Sequence, residues 1–293
     1  METKQIVVGI DGSGASLAAA HWAARDAGRR KLPVHVVLAY EWAWHGAHFT
    51  AAPPAEMAAR ERAEEIVAAA AAEIQLALPQ VVVTTEAVRG RPADALIKAG
   101  ADAEEIVIGN RGAGGFANLL LGSVSQQVAT HAPCPVVVVH DDADAHAGTG
   151  PVVVGVDGSA ADEISVHLAF EAAKARGTSL VVVNAFTLPL VWGGYGITPE
   201  VYREPIFTEQ PRKIVDAAAA LWRDKYPDVP VETVVARGRA TDVLVGVSKK
   251  AQLVVVGTRG HGGFTGLLLG SVGLQLLHHS HSPVLIARPR PPQ

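Results

Sequence analysis

Gly109-Asn110-Arg111-Gly112-Ala113-Gly114-Gly115-Phe116 returns 148 residues later as Gly257-Thr258-Arg259-Gly260-His261-Gly262-Gly263-Phe264. The echo runs on through Leu119-Leu120-Leu121-Gly122-Ser123-Val124 and Leu267-Leu268-Leu269-Gly270-Ser271-Val272. Nearer the start of each half, Val7-Val8-Gly9-Ile10-Asp11-Gly12-Ser13 recurs as Val153-Val154-Gly155-Val156-Asp157-Gly158-Ser159, at an offset of 146 (157 minus 11). Arg89-Gly90-Arg91-Pro92-Ala93-Asp94 recurs as Arg237-Gly238-Arg239-Ala240-Thr241-Asp242. Because the offset drifts by only two residues across a half, the repeat is a duplicated domain and not a short solenoid unit. Between the copies, residues 141–150 are acidic and rich in small residues, the composition of a linker. The expected domains are therefore 1–140 and 151–293, joined by 141–150.

Within each half, short Val-rich runs alternate with longer amphipathic or Ala-rich stretches. Strands are predicted at 6–10, 34–40, 81–88, 106–109 and 135–139, and again at 152–156, 180–185, 231–236, 253–257 and 284–287. Helices are predicted near 14–30, 54–77, 92–100 and 123–131, with counterparts at 160–176, 209–225, 240–250 and 271–280. Continuously apolar strands separated by helices imply parallel strands covered on both faces, an open doubly wound, Rossmann-like α/β sheet in each half. The stretches 41–53 and 186–208, with Trp42, Trp44, Trp192 and Tyr195, read as surface excursions without an assigned conformation.

Composition fits this. Apolar residues make up 49 % of the 293 residues, charged residues 18 % and aromatic residues 5 %, so the core must be aliphatic. A formal charge of −4 supplies no global basic field for nucleic acid or an acidic membrane surface. A single cysteine cannot form an internal disulfide, which fits a reducing, cytoplasmic setting. No secretory apolar stretch follows Met1, and no run approaches the roughly 18 apolar residues of a membrane span.

In sheets of this kind ligands bind beyond the carboxyl ends of the strands, where the strand order reverses. The repeated motifs fall at those ends: Asp11-Gly12-Ser13 and Asp157-Gly158-Ser159 after the first strand of each half, Gly109 and Gly257 at the end of the fourth. The fourth-strand loop has the spacing Gly109-x2-Gly112-x9-Gly122-Ser123, repeated as Gly257-x2-Gly260-x9-Gly270-Ser271. Glycines allow close approach of the backbone, and the Gly-Ser pair opens a helix whose first amides lack internal partners. Such a start attracts anions, so a polyphosphate could be held by main-chain amides without a lysine. A blander reading also stands: the glycines only shape a tight turn, Ser123 is an ordinary N-cap, and Asp11 caps the helix that begins near Gly14.

This combination of motifs resembles the ATP-binding class of universal stress proteins, and the tandem, Ala-rich layout resembles the two-domain versions of actinobacteria. The resemblance covers nearly the whole chain. It implies a five-stranded sheet of order 3-2-1-4-5 in each half, a pseudo-twofold pairing of the halves, and a possible homodimer. It also implies one adenine nucleotide per half, ATP often with Mg²⁺, in a stress or growth regulator with little catalysis. Carried over, Asp11 and Asp157 match the acidic residue at the ribose, and Ala39 and Ala185 lie where the family holds adenine through its backbone. Gly109, Gly112, Gly122, Ser123 and Val124 match the ribose and phosphate loop, as do Gly257, Gly260, Gly270, Ser271 and Val272. The loops differ internally, Asn110 and Ala113 standing against Thr258 and His261.

Other functions are weaker on these residues. Arg111 and Arg259 inside the loops could assist a slow ATPase or phosphotransferase, or be solvated loop charges. Arg89 and Arg237 could equally form structural salt bridges or touch a ligand. His278, His279 and His281 have only His131 as a first-half counterpart, so no metal site is expected there. Cys134, between Pro133 and Pro135, reads as a buried thiol. No Ser-His-Asp arrangement and no Gly-x4-Gly-Lys-Ser/Thr loop is present, so no catalytic residue is assigned. The remaining alternative is an interaction module whose crevices are empty or take cyclic AMP.

Overall fold

A computed structural model of the chain describes residues 4–41, 52–114, 120–140, 150–187, 207–260 and 268–289. Most of both predicted excursions (42–51 and 188–206), the linker over 141–149 and the middles of the glycine loops (115–119 and 261–267) lie outside the described residues. The chain forms two compact units. One comprises Met1–Ala145 together with Pro283–Gln293; the other is His146–Ser282.

In the first unit, strand β1 (Gln5–Gly9) leads to helix α1 (Gly14–Arg30), then β2 (Val34–Tyr40), α2 (Ala52–Ala77), β3 (Val83–Arg89), α3 (Pro92–Ala99), β4 (Ala103–Gly109), α4 (Ser123–His131) and β5 (Val136–Val139). The strands stand in the order β3-β2-β1-β4-β5, all parallel, the predicted 3-2-1-4-5. Strands one and four are neighbours, with Val7 beside both His35 and Ile106. Ile6, Val7, Val8, Ile106 and Val107 are fully buried. Burying a Val or Ile side chain contributes about 1.5–3 kcal/mol, so this aliphatic centre holds the sheet together. Helix α1 is Ala-rich on its buried face, which lets its backbone approach the sheet closely.

The second unit repeats the pattern with β6 (Val152–Gly155), α5 (Asp162–Arg176), β7 (Leu180–Phe186), α6 (Glu209–Arg223), β8 (Val231–Arg237), α7 (Ala240–Ser248), β9 (Leu253–Gly257) and α8 (Ser271–His279). Its parallel strands run β8-β7-β6-β9, the 3-2-1-4 part of the same order. The fifth strand of the second repeat, β10 (Val284–Ala287), groups with the first unit and pairs antiparallel with β5, Leu285 opposite Val137. The last strand of the second sequence repeat is thus grouped with the first compact unit. Two features tie this strand to the first unit. Val136–Val139 are all buried and need a covered flank. The Arg288 guanidinium, itself buried, donates to the carbonyls of Ala129, Thr130 and Ala132 at the end of α4, where acceptors lack helical partners.

Strand β4 begins at Ala103, three residues before the predicted 106, and so takes in Glu104 and Glu105. Both carboxylates meet Arg30 at the end of α1, at 2.6 and 3.1 Å, and Asp26 joins them at 3.2 Å. Among the described residues, no helix is long and apolar enough to cross a membrane.

Candidate functional site

The β1–α1 turn needs Gly12 at φ +82°, and the matching β6–α5 turn needs Gly158 at φ +86°, a region that L side chains rarely enter. The turn aims Asp11 across at the loop after β4. Its Oδ1 accepts from the Ser13 amide at 3.0 Å, and its Oδ2 accepts from the Ala113 amide at 2.6 Å. Burial pushes the Asp11 carboxyl up, but hydrogen bonds from Ser13, Ala113 and Ser16 outweigh burial and hold it below the ordinary 3.8. Asp11 is therefore an ionised, acceptor-only group that tethers the glycine loop. It is not the cap of α1: that position belongs to Ser13, whose hydroxyl accepts from the Ser16 amide at 3.3 Å.

The glycines of the loop have different physical reasons. A Cβ on Gly109 would lie 2.8 Å from the Ala15 carbonyl oxygen, and one on Gly257 would lie 2.9 Å from the Ala161 Cβ, so both serve the packing of strand against helix. A Cβ on Gly112 would collide with the Asp11 carboxylate, as one on Gly260 would with Asp157. Gly122 is another matter. Its φ of −75° suits any residue, and a Cβ there would meet nothing closer than 3.4 Å. Gly270, at φ −73°, has its nearest neighbour at 3.3 Å.

These last two glycines are the N-caps of α4 and α8, and neither helix has a side-chain cap bond. The expectation that Ser123 is an ordinary N-cap is corrected here: Ser123 is the first helical residue, and the cap has no side chain to satisfy the leading amides. The Gly122 amide donates to the Asn110 carbonyl at 2.8 Å and the Gly270 amide to Thr258 at 2.7 Å, so each loop is pinned at its neck.

A cavity of about 660 Å³ opens in the first unit at the ends of β1 and β4. Every first-half candidate except Gly12 and Ser13 lines it: Asp11, Ala39, Gly109, Gly112, Gly122, Ser123 and Val124. Gly12 and Ser13 stand back and shape the turn. One end is apolar, with Val37, Ala39, Pro92 and Leu96; the other carries the Gly122-Ser123 helix start, with Arg111 at the wall. The second unit has a cavity of about 160 Å³ in the equivalent place, lined by Asp157, Ala185, Gly257, Gly260, Gly270, Ser271 and Val272, again without Gly158 or Ser159. Asp162 also lines it. Sequence reasoning passed over that residue, although aligning the repeats sets it against Ser16.

Arg259 lines the second cavity as Arg111 does the first, and the other candidates fall away from the cavities. Arg89 forms an exposed ion pair with Glu56 at 2.8 Å. Burial, with the Glu105 charge, pushes the Cys134 thiol up to about 12, which leaves it protonated and unreactive. Among the described residues, no three His, Cys, Asp or Glu side chains gather as metal ligands.

Fold and site together define a tandem α/β protein with one crevice per repeat at the switch point of a parallel sheet. The profile of the universal stress protein family matches residues 2–140 and 149–288, and the chain belongs to that family. It is 38 % identical over 297 residues to a universal stress protein of Mycolicibacterium smegmatis, covering 97 % of each chain. One from Mycobacterium tuberculosis is 38 % identical over 303 residues, covering 97 % of this chain and 96 % of that one. A crystal structure of a universal stress protein from Archaeoglobus fulgidus superposes with a TM-score of 0.72 at 19 % identity, covering 98 % of this chain and 99 % of that one.

Proposed function

We propose that each repeat binds an adenine nucleotide and that the protein acts as a regulator through nucleotide occupancy, with little or no catalysis. The observation that carries this reading is Gly122, which faces a cavity and opens a helix although neither backbone nor packing requires a glycine there. A missing side chain at an uncapped helix start leaves room for a phosphate group against free amides. The apolar end at Val37 and Ala39 suits a base. Between them the ionised Asp11 suits ribose hydroxyls, which donate, and repels phosphate.

Mg²⁺ enters this reading as a companion of the phosphates. The described residues gather no ligand set of their own for it. Turnover should be slow at most, because no histidine lines either cavity among the described residues and Asp11 is committed to amides.

Native mass spectrometry of the purified chain tests the proposal. The expected result is adenine nucleotide bound at up to two per chain, with added ATP and Mg²⁺ raising the melting temperature. Ligand at a hundred times Kd contributes about 2.7 kcal/mol of stability. Absence of both bound nucleotide and thermal shift would sink the proposal and favour an interaction module. Hydrolysis faster than about 1 s⁻¹ would place the protein among ordinary enzymes instead.

A further inference from the structure

We infer that the two sites are tuned to ligands of different charge: the first takes the triphosphate, and the second takes an adenine nucleoside carrying at most one phosphate group, with Asp162 setting the difference. The inference rests on the nucleotide reading and names the ligand class of each site.

Ser16 and Asp162 occupy equivalent positions, five residues after Asp11 and Asp157. In the first unit the neutral Ser16 hydroxyl accepts from the Asp11 amide at 3.3 Å and donates to the Ser13 carbonyl at 2.9 Å. In the second, the Asp162 carboxylate accepts from the Gly158 amide at 2.6 Å and from the Asp157 amide at 3.1 Å. The same backbone turn is thus satisfied by a neutral group in one repeat and by an anion in the other.

Three consequences point the same way. Asp162 and Asp157 both line the second cavity, so a polyphosphate entering it meets two carboxylates where the first presents one. The turn amides, donors that could help to hold an anion, are already engaged by an internal one. The second cavity, about 160 Å³ against 660 Å³, is also smaller than the roughly 300–1,000 Å³ usual for drug-sized ligands. Arg259 lines the second cavity as Arg111 lines the first, so the arginines do not separate the two sites; the second also offers Ala185 and the Gly270-Ser271 helix start, a wall for a base and donors for one small anionic group.

The test uses the full chain with one site silenced, titrated calorimetrically with ATP, AMP and adenosine without Mg²⁺. With Gly122→Ala, the remaining second site is expected to bind AMP and adenosine about tenfold more tightly than ATP, the scale of one added charge in a partly screened site. With Gly270→Ala, the first site should prefer ATP. Adding Asp162→Asn to the Gly122→Ala chain keeps an oxygen for the two amides and removes the charge. ATP affinity should then rise about tenfold, about 1.4 kcal/mol, while adenosine affinity stays unchanged. A purely structural role would move both ligands together.

The reciprocal variant, Ser16→Asp in the Gly270→Ala chain, should weaken ATP about tenfold and leave adenosine alone, by the same charge argument. It answers the question even if Asp162→Asn fails to fold. An ATP-to-adenosine ratio unmoved by either substitution overturns the inference and leaves the nucleotide reading standing. No binding of any of the three ligands to the unmodified chain overturns the nucleotide reading, and this inference with it.

Discussion

Gly112 and Gly122 look alike in the sequence, two members of one spaced motif, and the structure separates them by what a single methyl group would strike. On Gly112 it would strike the Asp11 carboxylate; on Gly122, at the cavity lining, it would make only ordinary contacts, none closer than 3.4 Å. Gly112→Ala should therefore lower stability by about 1–3 kcal/mol, the usual cost of overpacking, seen as a lower urea midpoint. Gly122→Ala should stay within about 0.5 kcal/mol of the parent and yet lose one nucleotide per chain in native mass spectrometry. The reverse pattern would show that Gly122 is the structural glycine. Asp11 carries a pH signature of its own. Its folded value lies below the ordinary 3.8, so it contributes stability above that value and loses the contribution as pH falls through the folded one. Asp11→Asn should flatten part of the acid-side decline in urea midpoint while leaving the slope above neutral pH unchanged. Equal acid slopes in the two chains would show that Asp11 gains nothing from its amides.

At the level of elements, the strand-helix alternation was legible because buried parallel strands leave continuous Val and Ile runs. Strand β4 was legible only from Ile106 onward. Two successive carboxylates look like loop, and nothing in the local pattern says that Arg30, some 75 residues earlier, neutralises them. Sequence periodicity registers polarity but not the partner that makes polarity tolerable inside a fold. The same blindness hid Asp162, which reads as an ordinary acidic residue at a helix start until its oxygens are seen on the turn amides. The Arg30 cluster makes a strong prediction, since Asp26 and Glu105 are only 2 % and 3 % exposed. Arg30→Ala leaves buried carboxylates without their guanidinium and should cost about 3–5 kcal/mol, with Arg30→Lys recovering part of it. A loss below about 1 kcal/mol, typical of surface pairs, would mean that water reaches these carboxylates.

For the whole molecule, the duplication was legible because a gene-level repeat preserves spacing, whereas the assignment of the last strand to the first unit was not. Val284–Ala287 resembles Val136–Val139, and four aliphatic residues carry no address; which compact unit they group with depends on flanking contacts. One such contact is made by Arg288, whose long, charged side chain reads as surface until its carbonyl partners on α4 are known. Removing Pro283–Gln293 should therefore loosen the first unit far from the cut in sequence. The buried Val136–Val139 strand would lose its antiparallel partner, and the α4 carbonyls would lose their donor. Hydrogen exchange should accelerate in β5 and α4, and the uncovered apolar strand should promote self-association. Arg288→Ala keeps β10 and removes only the guanidinium, so it should accelerate exchange in α4 with a milder loss of about 1–3 kcal/mol. The ordering matters more than either magnitude: truncation must affect β5 and α4 together, while the point substitution must act first on α4. Unchanged protection in both elements after truncation would show that the first unit is complete without its late-arriving strand.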